Sequence, residues 1–355
     1  MGILIKKSIT ILLITLIVFS FQSNMSIAKE PEIVIPKAET KFKDLPKEEQ
    51  ERIKNDPVYG PKDTSALKNI DMEKVKKLPK YASIGSDGSI ITDLPKPKAS
   101  EKYGFPGSDN EKTDINELIS PYVADNLVQT PHTTYPYNAI AKLKSTKPDG
   151  TIAHCTGIYI DRNTIITAAH CVYNTVTNTP VTNIAWERSP GPSGLPIYEH
   201  GNTTKFWINS AYVNLEPVGT PTDPSALQYD FAAIQVGQDS ANWFGIRATN
   251  HEAGEQVLAT GYPISSDPNS PYYYGDTQYK SLGNISSIVT FPGLLQTTAY
   301  LLGGMSGGPT WNTKVGTTAV IGINVGGPED HSFSVSVRIT GNTYNQIVYW
   351  KDLPD

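Results

Sequence analysis

From Leu118 onward the chain is written in short apolar runs separated by turn residues. "NAIAKLKS", "CTGIYID", "NTIITAAH", "DFAAIQV", "QVLATGY", "AVIGINVGG" and "FSVSVRIT" each cluster or alternate apolar positions, and Gly, Pro, Asn and Asp punctuate them. Such runs, rich in β-branched residues and bounded by turn formers, predict strands. Many of them in succession predict an all-β barrel or sandwich. The stretch is long for one sandwich and comfortable for two packed antiparallel barrels. Only the last turns, "NTYNQIVYWKDL", have the pattern of a helix. There is no internal repeat, and "SPGPSGLP" and "DPNSPYYYG" read as surface loops.

The region before Leu118 follows a different rule. Lys6 and Lys7 precede a mainly apolar run from Ile9 to Phe21, and a small residue, Ala28, follows a polar stretch. A basic start, an apolar middle and a small-residue exit predict a secretory signal peptide. The run falls short of the roughly 18–20 residues that a spanning helix needs. More than half of the charged residues then crowd between Lys29 and Glu117, a Lys- and Pro-rich segment with few positions able to form a core. The expected layout is a signal peptide (1–28), a largely irregular pro-segment (29–117) and a folded domain (118–355). In that layout the mature N-terminus lies near Glu117/Leu118. A permanent disordered or tethering arm is the alternative reading of the charged segment. "KEEQERIKN" reads as a short exposed helix within it.

A net charge of −5 and a pI near 5.7 give no basic face for nucleic acid or an anionic membrane. Export makes a disulfide the expected state of the two cysteines. "HCTGIYI" and "TIITAAHC" flank "DRN", a hairpin turn, and Cys155 and Cys171 are equidistant from residue 163. Pairing across that hairpin brings them within bridging range. The bridge would pin His170, the residue before Cys171.

A histidine acting as general base needs a nucleophile and a group that orients its ring. In "LLGGMSGGPTW", Ser306 stands among Gly303, Gly304, Gly307 and Gly308, which permit a sharply bent backbone with exposed N–H groups. The amides of Gly304 and Ser306 are the candidate oxyanion donors. Asp230, in "LQYDFAAIQV", heads an apolar strand, where a carboxylate is partly buried and needs a partner. The other histidines, His132, His154, His200, His251 and His331, show no metal-ligand spacing, so neither a metal nor a cofactor is expected.

The order His170, Asp230, Ser306 is a known chain order for a Ser/His/Asp triad. "TAAHC", "YDFAAI" and "GMSGGP" resemble the three catalytic blocks of the chymotrypsin-like serine proteases. "TTYPYNAIAKL", "ATGYP" and "SVRIT" are similar to the bacterial glutamyl endopeptidase branch of that family. The resemblance covers roughly residues 130–350. It implies two barrels with the site between them, His170 and Asp230 coming from the first and Ser306 from the second. Asn324, Val325, Gly326 and Gly327 would form the edge along which substrate backbone pairs. The implied partners are polypeptide substrates and an activating protease, or self-cleavage; a monomer is the default. A catalytically silent binding protein or adhesin on the same fold, or another acyl hydrolase, are the competing readings.

The sequence departs from that branch at the specificity pocket. Glutamyl endopeptidases usually carry a histidine where this chain has Asn324, and a small hydroxyl residue where it has Leu301, beside Tyr300. Asn324 is expected to keep two neutral donors and Leu301 to add apolar surface, so Glu preference is expected to be weak or absent. Met305 stands where the pancreatic enzymes carry an aspartate that pairs with a new N-terminus, so N-terminal ordering must act elsewhere.

Overall fold

In the computed structural model, every one of the runs quoted above contains a strand. The structure describes residues 33–35, 38–45, 47–55, 70–93, 104–105, 107, 127–188, 198–215, 224–237, 240–248, 251–265, 267, 270–272, 275–287, 293–312 and 318–353. The signal peptide, the expected boundary at 117/118 and the loop "SPGPSGLP" lie outside the described residues, as does part of "DPNSPYYYG".

The first sheet is built on a meander. Ile140–Thr146 pairs with Thr151–Tyr159, which pairs in turn with Thr164–Thr167. Local chemistry makes both turns. Gly150, at φ +81°, takes the left-handed position that a side chain disfavours. Beside it, Asp149 accepts from the Thr151 N–H at 2.9 Å. In the second turn Asp161 accepts from the N–H groups of Asn163 and Thr164, at 3.0 and 2.7 Å. The sheet continues from Thr164–Thr167 through Ala232–Gln235 to Phe206–Asn209.

The second sheet closes on itself. Pro309–Asn312 pairs on one side with Gln256–Gly261 and on the other with Ala319–Gly326, completing a ring of antiparallel strands. Closure removes the exposed edges that an open sheet would present. Tyr137 and Phe244 pack edge-on against the fully buried Trp311, at 6.0 and 5.8 Å between ring centroids. The expected C-terminal helix spans Gly341–Lys351 and is capped by Thr340, whose hydroxyl accepts from Thr343 N–H. Two antiparallel β-barrels followed by a C-terminal helix is the architecture that the strand pattern predicts.

The charged segment contributes more to these sheets than its composition suggests. "KEEQERIKN" is a helix, Lys47–Asn55. Ser83–Gly85 is wholly buried and adds a strand beside Phe206–Asn209. Ser83 Oγ accepts from Trp350 Nε1 at 2.8 Å, and Gln346 Nε2 donates to the Tyr81 carbonyl at 3.0 Å. Gly104–Phe105 pairs with Gly245–Arg247. Beyond the charged segment, Val128–Gln129 pairs with the start of Tyr279–Ser287. All the described residues belong to one unit, Ile33–Asp355.

Candidate active site

His170 sits in a single 3-10 turn, Ala169–Cys171, just after Thr164–Thr167 ends. Ala168 and Ala169 have no exposed surface, and such small side chains let the turn pack closely. Thr167 is the strand partner of Ala232, so His170 and Asp230 both lie just beyond the same end of this antiparallel pair. Asp230 is fully buried and spends both carboxylate oxygens on one residue. Its Oδ1 accepts from the His170 main-chain N–H at 2.9 Å and its Oδ2 from the ring Nδ1 at 2.7 Å. A buried carboxylate satisfied twice by the same histidine fixes the ring's position and its tautomer together. Among the described residues Nε2 has no hydrogen-bond partner, and the side chain is 18% exposed. Burial first, and the nearby Asp230 charge second, push the Tyr212 phenol well above its usual range. It therefore stays neutral beside the carboxylate.

Cys155 and Cys171 are bridged, with Cα atoms 6.2 Å apart. The route differs from simple pairing across the hairpin. The register, Ile158 with Ile166, centres the hairpin on residue 162, and Cys171 reaches Cys155 from the 3-10 turn after the strand. Closing a loop of sequence separation 16 is worth on the order of 3 kcal/mol.

The Ser306 loop is shaped by glycines. Gly304 and Gly307 have φ of +91° and +83°. A Cβ on Gly307 would lie 2.0 Å from Thr167 Oγ1, and one on Gly308 would lie 2.2 Å from the Thr260 carbonyl. The loop thus presses against the strand that leads to His170. The Gly303 carbonyl accepts from Ile264 N–H at 2.8 Å. Across a trans peptide the Gly304 N–H points the opposite way, away from that partner.

Thr156, which the sequence reading did not single out, ties the two halves together. Its N–H donates to the Ser306 carbonyl and its hydroxyl to the Gly304 carbonyl, both at 2.8 Å, and the hydroxyl accepts from Tyr262 N–H at 3.0 Å. Its own carbonyl accepts from Thr167 Oγ1 at 2.8 Å. The only sequence signal is its place next to Cys155. The disulfide flanks the same spot. Cys171 Sγ is 3.9 Å from the Ser306 carbonyl oxygen, and a His170 ring nitrogen and both sulfurs lie within 4.8 Å of one another. Among the described residues no hydrogen bond joins the Ser306 hydroxyl to His170, a contact that often tightens only when substrate is bound.

The expected pocket residues divide. Tyr300 is half-buried and packs against His331, with the rings tilted at 49° and their centroids 4.9 Å apart. Leu301 is buried with Leu127, Ala259, Ala299 and Met305 in an apolar cluster. Asn324 is turned wholly inward. Its Oδ1 accepts from the Thr310 and Ser336 hydroxyls, and its Nδ2 faces the Thr260 and Pro309 carbonyls at 3.4 and 3.5 Å. The two donors expected to be available to a substrate are engaged inside the barrel. Val325 is buried, and Gly327 exchanges two main-chain hydrogen bonds with Val34.

Residues 155–323 match the family described as the trypsin-like peptidase domain. That stretch contains His170, Asp230 and Ser306. Two curated relatives align with it. The protein named "Extracellular metalloprotease" of Bacillus subtilis is 28% identical over 233 residues, 61% of this chain and 65% of the relative. The "Glutamyl endopeptidase" of Bacillus licheniformis is 27% identical over 232 residues, 62% of this chain and 65% of the relative. The chain thus covers just under two thirds of each relative's length. A solved Glu endopeptidase, in complex with MPD, superposes with a TM-score of 0.54 at 23% identity, over 64% of this chain and 98% of that one. It shares the fold of this domain.

The first relative's name raises the question of a metal, and the donors here do not fit one. Among the described residues, the only His/Cys/Asp/Glu group close enough to share an ion is Cys155, His170 and Cys171. Both sulfurs are bonded to each other, so the group offers no thiolate.

Proposed function

We propose that the protein is an exported serine endopeptidase that cleaves polypeptides through Ser306, His170 and Asp230. The observation that carries this reading is the double clamp of buried Asp230 on His170, beside a serine on a glycine-bent loop. In the proposed cycle Ser306 Oγ attacks the peptide carbonyl and its proton passes to His170 Nε2. Asp230 stabilises the imidazolium, and the proton then goes to the leaving amine. The N–H groups of Gly304 and Ser306 stabilise the oxyanion. Water releases the acyl group by the same steps. Export is supported by the leader pattern and by the extracellular name of one relative. We propose further that residues 29–117 form a leading segment detached on activation, by another protease or by self-cleavage.

Specificity for Glu is not part of the proposal. A substrate carboxylate needs charge-assisted donors to replace its lost water. Asn324 is engaged elsewhere, and Leu301 sits in an apolar cluster. Missing charge-assisted bonds are worth about 1.5–3 kcal/mol each. Peptides differing only before the scissile bond should therefore show Leu, Phe or Ala cleaved at least as well as Glu. Strong Glu preference would overturn this.

Fluorophosphonate labelling tests the reading as a whole. The active protein should be labelled at Ser306 and should lose peptide hydrolysis by several orders of magnitude in Ser306→Ala, with its melting temperature retained. A folded protein that neither labels nor cleaves would instead be a silent binding protein.

A further inference from the structure

The start of the leading segment, residues 33–41, is hydrogen-bonded to the domain at two places, and each place bears on the site. At the first, Val34 N–H donates to the Gly327 carbonyl at 2.8 Å and Gly327 N–H donates back to Val34 at 3.1 Å. This is an isolated antiparallel bridge. Gly327 lies three residues beyond Asn324, whose main chain accepts from Gly307 N–H and donates to the Gly308 carbonyl. At the second, His154 N–H donates to the Ala38 carbonyl at 2.8 Å, and Glu39–Lys41 pairs antiparallel with Thr151–Ala153. His154 lies two residues before Thr156, which holds the Ser306 carbonyl. One anchor is on each barrel, and the serine loop is tied to both edges.

Only four residue steps separate Val34 from Ala38, a reach of at most about 14 Å for an extended chain. The two edges therefore lie within reach of one short extended segment. Side chains alternate along a strand, so Ile33 and Ile35 share a side. Both are buried in the main apolar cluster, at 8% and 9% exposure, whereas Val34 between them is only partly buried. Thr40 Oγ1 bonds His154 Nε2 at 2.8 Å, and Glu39 pairs with Lys147. Main-chain pairing with an exposed edge, combined with seats for alternate side chains, is how extended peptides are recognised.

We propose that this segment is the built-in occupant of the substrate cleft. Residues 33–35 on the second barrel and 38–41 on the first are the two described ends of a strap, and by holding both edges they bar other chains from pairing there beside Ser306. The strap rests on the assignment of Ser306 as nucleophile and adds its regulation. It also assigns the seats of Ile33 and Ile35 as apolar subsites for substrate side chains. Releasing it requires a cut only on the C-terminal side of Lys41.

The test compares uncut and processed protein in one preparation, following fluorophosphonate uptake by intact-mass spectrometry. A tethered occupant acts at an effective concentration in the millimolar range, so the uncut chain should label roughly 10- to 100-fold more slowly. Val34→Pro removes the N–H that bonds Gly327, and Ile35→Asp puts a charge into an apolar seat. Both uncut variants should label at close to the processed rate, whereas uncut Val34→Ile stays slow. Uncut wild type labelling as fast as the processed form, or both variants staying slow, would overturn the proposal. If the processed form does not label at all, it is the nucleophile assignment that fails. Amide exchange then reads the strap directly. Gly327 and His154 amides slower in the uncut form uphold occupancy; equal exchange in both forms refutes it.

Discussion

The two halves of the candidate site solve the same positioning problem by different means. On the first barrel, side chains hold the geometry: a buried carboxylate grips His170 at both the ring and the main chain. On the second, the main chain holds it: glycines at positive φ bend the Ser306 loop, and Thr156 and Asn324 fasten its carbonyls and N–H groups. The difference follows from what each group must do. An imidazole has to keep one tautomer, which a carboxylate imposes, whereas oxyanion donors must be N–H groups left free by a backbone few side chains tolerate. The first half should therefore fail by chemistry and the second by folding.

Asp230→Asn probes the first half and carries the largest expected effect. It can still accept from the His170 N–H but favours the wrong tautomer. Turnover should fall by about 10⁴-fold with little loss of stability. A variant that loses stability but keeps its rate when folded would erase the contrast.

Gly307→Ala probes the second half. It combines a positive φ with a contact at 2.0 Å on Thr167 Oγ1 and one at 2.3 Å on the Thr156 carbonyl. The strain should cost on the order of 3 kcal/mol of stability, read as a lower denaturant midpoint. An unchanged midpoint would mean that the loop is not held by the close approach seen here.

Thr156→Val tests whether the halves are coupled. It leaves the Gly304 carbonyl and the Tyr262 N–H without their partner, at a cost of about 1–3 kcal/mol. His170 should keep its bonds to Asp230, so the loss of rate should exceed any change in the pH dependence of turnover. A shifted pH profile with normal stability would place Thr156 in the histidine half instead.

The smallest effect concerns His251, far from the chemistry in sequence and buried at 2% exposure. Burial holds its pKa below the ordinary 6.5, against the opposing pull of Glu255; Arg338 and Arg247 add to the lowering. A lowered folded value keeps the imidazole neutral in the native state, while the unfolded chain takes up a proton near 6.5. Stability is thus full above that pH and declines as pH falls below it. His251→Gln should flatten this slope in acid unfolding curves, and an unchanged slope would remove His251 as its source.

Where a feature is local, the sequence alone determined it. The strand runs, the Asp149–Gly150 and Asp161–Asn163 turns and the Thr340-capped helix each come from contiguous residues whose periodicity or turn chemistry needs no distant partner. The blocks around His170, Asp230 and Ser306 were legible for the same reason, each carrying its small-residue or strand-head setting within a few positions. What tertiary structure decided lies between segments far apart in the chain. Ser83–Gly85 is too short to show a period, and it becomes a strand because Phe206–Asn209 and the C-terminal helix offer it partners and burial. Asn324 has the same two donors in any sequence; only the barrel turns them toward Thr260 and Pro309. Val34 meets Gly327 across nearly the whole length of the chain, and a main-chain hydrogen bond carries no residue signature, so nothing in the amino-acid order could announce it.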